Sequence, residues 1–95
     1  MRICEVIGTV TLNQRHPSLA GASFRLAVPL SLKNLTGEST KRAEALVMYD
    51  DLGAGVGQQI ALSEGGEAAQ PFYPALKPID AYNAALLDTL DVYDF

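Results

Sequence analysis

Asp50-Asp51-Leu52-Gly53-Ala54-Gly55-Val56-Gly57 is the stretch on which the fold turns. A β-like run, Ala45-Leu46-Val47-Met48-Tyr49, enters it, and Gln59-Ile60-Ala61-Leu62 leaves it. Glycines at alternate positions let the backbone reach φ > 0 or approach a neighbouring backbone closely. The spacing is not that of a phosphate loop. Gly-x-Gly-x-Gly lacks the two-residue second interval of Gly-x-Gly-x-x-Gly, no Gly-Lys-Ser/Thr follows, and the next segment reads as strand rather than helix. A structural turn or a subunit contact is the better reading. On it, Gly55→Val should harm folding or assembly more than Lys41→Ala in a solvated loop.

Working outward, two more strands precede this turn and its flanking pair. Ile3 to Leu12 alternates, with Cys4, Val6, Gly8, Val10 and Leu12 on one face. Gly8 in mid-strand suggests a bend or close neighbour at the corner of a small barrel. Ser23 to Leu32 reads as a second strand, with Phe24, Leu26, Val28 and Leu30 inward and Arg25 and Ala27 outward. Pro29 marks an edge or bulge there. Lys33 to Arg42 is a polar connection with a turn at Asn34–Gly37. Ala43 to Tyr49 and Gln58 to Ser63 then flank the glycine turn as third and fourth strands. Near the end, Asp80 reads as an N-cap and Ala81 to Leu90 as a helix carrying Tyr82, Leu86 and Leu90 on one stripe.

The expected fold is therefore mainly β: a small, partly open barrel of the oligonucleotide-binding type with one short C-terminal helix. Residues 1–95 read as a single domain, because 95 residues support one modest core that association would help. A formal net charge of −4 disfavours nucleic acid or an anionic membrane as partner. The single cysteine, Cys4, excludes an internal disulfide and a cysteine-built metal site, and it reads as a small buried hydrophobe. Met1 and Arg2 run directly into strand-like sequence without an apolar leader, which predicts a cytoplasmic protein.

Catalytic chemistry is poorly provided for. His16, the one histidine, precedes Pro17 in a polar loop without acidic or cysteine partners at ligand spacing. Asp50 and Asp51 would point to opposite sides of a strand, a poor acid/base pair. The chain is expected to be no enzyme and to use no cofactor and no metal. Pro71, Pro74 and Pro78 place residues 68–78 in an extended surface segment in which Phe72 and Tyr73 could dock on another subunit or cover the core. The ending Asp91-Val92-Tyr93-Asp94-Phe95 mixes acidic and aromatic residues and reads as a partner-facing end.

Several segments together resemble the bacterial microcompartment vertex-protein family, the pentameric shell proteins of carboxysomes and ethanolamine-utilisation compartments. They are Met1-Arg2-Ile3-Cys4-Glu5-Val6-Ile7-Gly8-Thr9-Val10, Arg15 with Leu19-Ala20-Gly21, Pro29-Leu30, Asp50 with Leu52-Gly53-Ala54-Gly55-Val56-Gly57, and Pro78-Ile79-Asp80-Ala81. They follow the family's order over nearly the whole chain. The resemblance implies a structural shell protein, five copies forming a ring that caps shell vertices among hexameric tiles. It departs from the family at Gly65-Gly66-Glu67-Ala68-Ala69-Gln70, at Val28 and at Tyr82 to Leu87. Candidate assembly or pore residues are Gly53, Gly55, Gly57, Gly65, Gly66 and Glu67, with the Gly65 to Ala69 loop expected near the ring axis or the subunit seam. A free-standing barrel for single-stranded nucleic acid and a small enzyme using Asp50, Asp51 or His16 are the alternatives.

Overall fold

The computed structural model describes residues 1–11, 23–65, 79 and 81–92. Five strands close into a barrel in the order β1-β2-β3-β5-β4. They are β1 (Arg2–Val10), β2 (Ser23–Pro29), β3 (Leu46–Asp50), β4 (Gln59–Glu64) and β5 (Ala81–Leu86). All neighbours are antiparallel except β3 and β5, which run parallel and meet at Tyr49 and Tyr82. The expected small β-barrel is thus present, but closed rather than partly open. Closure removes the free edges that would otherwise invite strand pairing with a second chain.

The last strand corrects the sequence reading most. Ala81–Leu86 is β5, not the start of a C-terminal helix, and residues 87–92 are not helical either. Tyr82, Leu86 and Leu90 fit a helical stripe, but the segment fits a strand as well. Ala81 and Asn83 are buried, while Tyr82, Ala84 and Leu86 alternate outward. Helix propensity in an alanine-rich segment is weak beside the ladder that β4 offers from Ile60 to Glu64. Asp80 lies outside the described residues. Among those described, the one short helix is α1 (Leu32–Leu35), which starts at the last residue of the expected second strand and runs into the expected polar connection. Ser31 caps it: its Oγ accepts from the Asn34 amide at 3.2 Å, and the Asn34 Oδ1 accepts from the Ser31 amide at 3.0 Å.

The core is small. Cys4, Val6, Ala27, Met48, Ile60 and Leu62 are fully buried in one cluster with Ala54 and Ala81. The alternation expected for β1 holds only to Val6. A bulge between Val6 and Gly8 puts Gly8 opposite Leu26 and Val10 opposite Phe24, so the bend expected at Gly8 is present. For β2 the expected faces hold in part: Phe24 and Val28 are buried as expected, but Ala27, expected outward, is buried too. Ala27 joins the core cluster opposite Val6, whereas Phe24 packs edge-on against Tyr49, which in turn meets Tyr82. The pattern misleads because both faces of β2 are apolar, and Arg25, on the core-facing side, is the residue that looks most like surface. Pro29 ends β2 beyond the last pairing with β3, where its missing N–H costs no ladder bond.

Burial pushes the Cys4 thiol up to about 11, as expected of a thiol kept in an apolar core. A thiol raised in this way contributes stability that is complete below about pH 9 and is lost as the pH climbs toward the folded value. At pH 8, alkylation of Cys4 in the folded protein should run at least about a hundredfold slower than in urea, since only opened molecules expose it. Equal rates by mass spectrometry would contradict its placement.

Candidate functional site

The glycine turn crosses one end of the barrel, from β3 to β4, over the end of β5 that both flank. Asp50 holds it in place. This carboxylate is 1% exposed, and its Oδ1 accepts from the Leu52 amide and the Asn83 side-chain amide, both at 3.0 Å. Its Oδ2 accepts from the Ala54 amide at 2.8 Å and lies 3.7 Å from the Arg25 guanidinium. Arg25 in turn donates from Nε to the Ala54 carbonyl at 3.0 Å. The buried charge is thus paired and hydrogen-bonded, the condition under which it is tolerated.

Ala54 is drawn into the core as a plug, and the residues around it must turn back on themselves. Gly53 (φ 73°) and Gly57 (φ 92°) take the left-handed conformation this requires. Gly55 does not, and a Cβ added there would meet only the Gln58 Oε1, at an ordinary 3.7 Å. The strain expected at Gly55 therefore resides at its two neighbours. The Gly57 amide donates to the Val6 carbonyl at 2.7 Å, and the Gly55 amide to Gln58 Oε1 at 2.7 Å, tying the turn to β1 and to itself. What this rigid turn shows to solvent is Leu52 and Val56, the latter 68% exposed. Fixed apolar side chains on a preorganised loop suit an interface, because little entropy remains to be lost on contact.

Asp51 points away from Asp50, as expected, and accepts from the Tyr82 hydroxyl at 3.2 Å. Burial, with the Asp51 charge second, raises the Tyr82 phenol above its usual value. Asp50 is fully engaged in holding the turn, so the two carboxylates form no reactive pair. His16 lies outside the described residues. Among those described, no group of three or more His, Cys, Asp or Glu side chains is placed to hold a metal.

The assembly candidates divide between the two ends of the barrel. Gly53, Gly55 and Gly57 come together in the turn before β4, and Gly65 follows β4 at the other end. Gly66 and Glu67 lie outside the described residues. At that second end the Arg2 guanidinium donates to both carboxylate oxygens of Glu64, the Nη2 contact being 2.7 Å. This hydrogen bonding holds the Glu64 carboxyl below, and the Arg2 guanidinium above, its ordinary value. Both side chains are well exposed, so water screens much of the benefit. Sequence reasoning missed Arg25 and Asn83. A cation on an otherwise apolar strand, and an asparagine in an alanine run, were the available signals.

Residues 1–88 match the family model described as ethanolamine utilisation protein EutN/carboxysome, and the chain belongs to that family. Its curated relatives are structural shell vertex proteins rather than enzymes. The carboxysome shell vertex protein CcmL of Gloeobacter violaceus is 34% identical over 97% of this chain and 87% of its own length. The bacterial microcompartment shell vertex protein PduN of Salmonella typhimurium is 34% identical over 95% of this chain and 98% of its own. Among solved structures, the pentameric microcompartment shell protein GrpN of Rhodospirillum rubrum superposes with a TM-score of 0.80. It is 28% identical, over 98% of this chain and all of that one.

Proposed function

We propose that residues 1–95 act as one vertex-protein domain, five copies of which form a ring that caps the vertices of a microcompartment shell in the cytoplasm. In that shell the ring would seat among hexameric shell proteins. The observation that carries this reading is the end-to-end likeness to pentameric GrpN, with neither chain holding a large insertion relative to the other. A ring built head to tail needs two different surfaces on each copy. The turn at Gly53, Gly55 and Gly57 supplies one, presenting Leu52 and Val56, and Gly65, at the opposite end of β4, marks the end that would supply the other.

Replacing Val56 with aspartate tests the first surface. A charge on the exposed knob should weaken the ring by on the order of 1 kcal/mol per seam, about fivefold, while leaving the monomer folded. Sedimentation velocity would report a shift to smaller species, with circular dichroism unchanged. An intact ring at the same concentration would remove this turn from the seam.

Glu67→Gln tests the second. If five Glu67 carboxylates converge, they repel one another over a Debye length of about 10 Å at 0.1 M salt. The substitution should raise ring stability at low salt, and the gain should fade as salt is added. Unchanged low-salt stability would place Glu67 away from the axis.

A further inference from the structure

A groove of about 250 Å³ opens at the barrel end where β1 begins, lined by Arg2, Pro29, Leu30, Lys41 and Ala43. Its walls are set in advance. The Leu30 amide donates to the Ile3 carbonyl at 2.9 Å, and Asn34 donates from Nδ2 to the carbonyls of Ser39 and Lys41 at 3.0 and 2.9 Å. Lys41 is exposed and forms no ion pair among the described residues, and neither does Lys33 on α1 nearby. Met1 and Leu32, next to the lining residues in sequence, are both strongly exposed apolar side chains. Cations without an acidic partner among the described residues, beside carbon-lined space, are notable in a chain of net charge −4.

The complementary chemistry is a short segment with acidic and aromatic side chains, and this chain carries one. Asp91-Val92-Tyr93-Asp94-Phe95 places two carboxylates among two aromatic rings, and it lies beyond the part of the chain that the family model matches. We propose that this segment docks in the Arg2–Lys41 groove of a neighbouring copy and fastens successive subunits together. Strand direction argues for the neighbour. β5 enters the barrel at the groove end, with Ala81 opposite Glu64, and leaves toward the glycine turn, with Leu86 opposite Ile60. The Leu87 amide then donates to the Gln59 carbonyl at 3.0 Å, so the chain departs at the end away from its own groove. In the ring proposed above, whose seam includes the glycine-turn end, that departing end lies toward the next copy. Aromatic rings would fill the apolar floor while Asp91 and Asp94 meet Lys41 and Lys33 at the rim.

This inference rests on the ring proposed above, and its test separates the two. Phe95 is replaced by a benzophenone-bearing residue in the full chain, and isotopically light and heavy preparations are mixed and irradiated. The expected product is a light–heavy cross-link from position 95 to the peptide spanning residues 30–41. Lys41→Glu should lower its yield about threefold at low salt, as loss and reversal of one exposed pair allows. Adding Asp91→Lys and Asp94→Lys should restore it. Cross-links confined to one chain, cross-links to another region, or a yield indifferent to Lys41→Glu would each overturn the proposal. Native mass spectrometry of the unirradiated sample reads the ring separately. A ring without the groove cross-link rejects the docking alone, and a monomer rejects both.

Discussion

Replacing Asp50 with alanine is expected to destabilise the protein by about 3–5 kcal/mol, the range found when one member of a buried ion pair is removed. The substitution strands three donors at once: the Leu52 and Ala54 amides and the Asn83 side chain. It also leaves the Arg25 guanidinium, whose side chain is 20% exposed, facing a void where its counter-charge had been. For a domain of this size such a loss lowers the melting temperature by roughly 12 °C or more. Asp51→Ala is the control. Its carboxylate is exposed and accepts a hydrogen bond from the Tyr82 hydroxyl, so the expected cost is within about 1 kcal/mol. Urea denaturation of the two variants measures the difference, and similar midpoints would show that Asp50 does not hold the turn.

Gly57→Val is the second large effect, at about 2 kcal/mol, within the range for a side chain forced into a sparsely populated backbone region. Gly57 has φ of 92°, and nothing lies within 4 Å of the Cβ it lacks. The cost is therefore conformational and not steric. If the backbone relaxes instead, the 2.7 Å bond from its amide to the Val6 carbonyl is strained, and the turn loosens from β1. Gly55→Ala makes the sharp contrast. That position is outside the left-handed region and has room, so alanine should be neutral within about 0.5 kcal/mol, or slightly stabilising through the unfolded chain. Equal losses at the two positions would contradict the assignment of the turn's conformation.

The strands were legible where one face is apolar and the other polar, and less so elsewhere. β3, β4 and the glycine turn lie within a few residues of where the sequence places them. β2 misled in part because Ala27 joins the core cluster although Phe24 and Val28, on the other face of the strand, are buried as well. Only the pairing of Ala27 with Val6, and of Arg25 with Met48, decides the matter, and pairing is a property of the sheet. The segment Ala81–Leu86 satisfies both periods, so its strand state follows from the gap between β3 and β4 that it fills. The family was legible in the combination of the Val6-Ile7-Gly8-Thr9-Val10 opening, the glycine turn and Pro78-Ile79-Asp80-Ala81. The bonding of Asp50 to Arg25 and Asn83 was not, because those residues are distant in sequence and meet only when the barrel closes. For the same reason Asp50 and Asp51 look alike as neighbours, while one is buried and the other exposed.

The central claim is that copies of this chain close into a ring of five. Native mass spectrometry of the wild-type protein, from about 1 to 50 μM and at low and moderate salt, tests it most directly. A ring of five gives a species of five chain masses that grows with concentration at the expense of monomer, without a ladder of larger open assemblies, since a closed ring leaves no surface free. A monomer at every concentration, or a closed species of any other copy number, would contradict it.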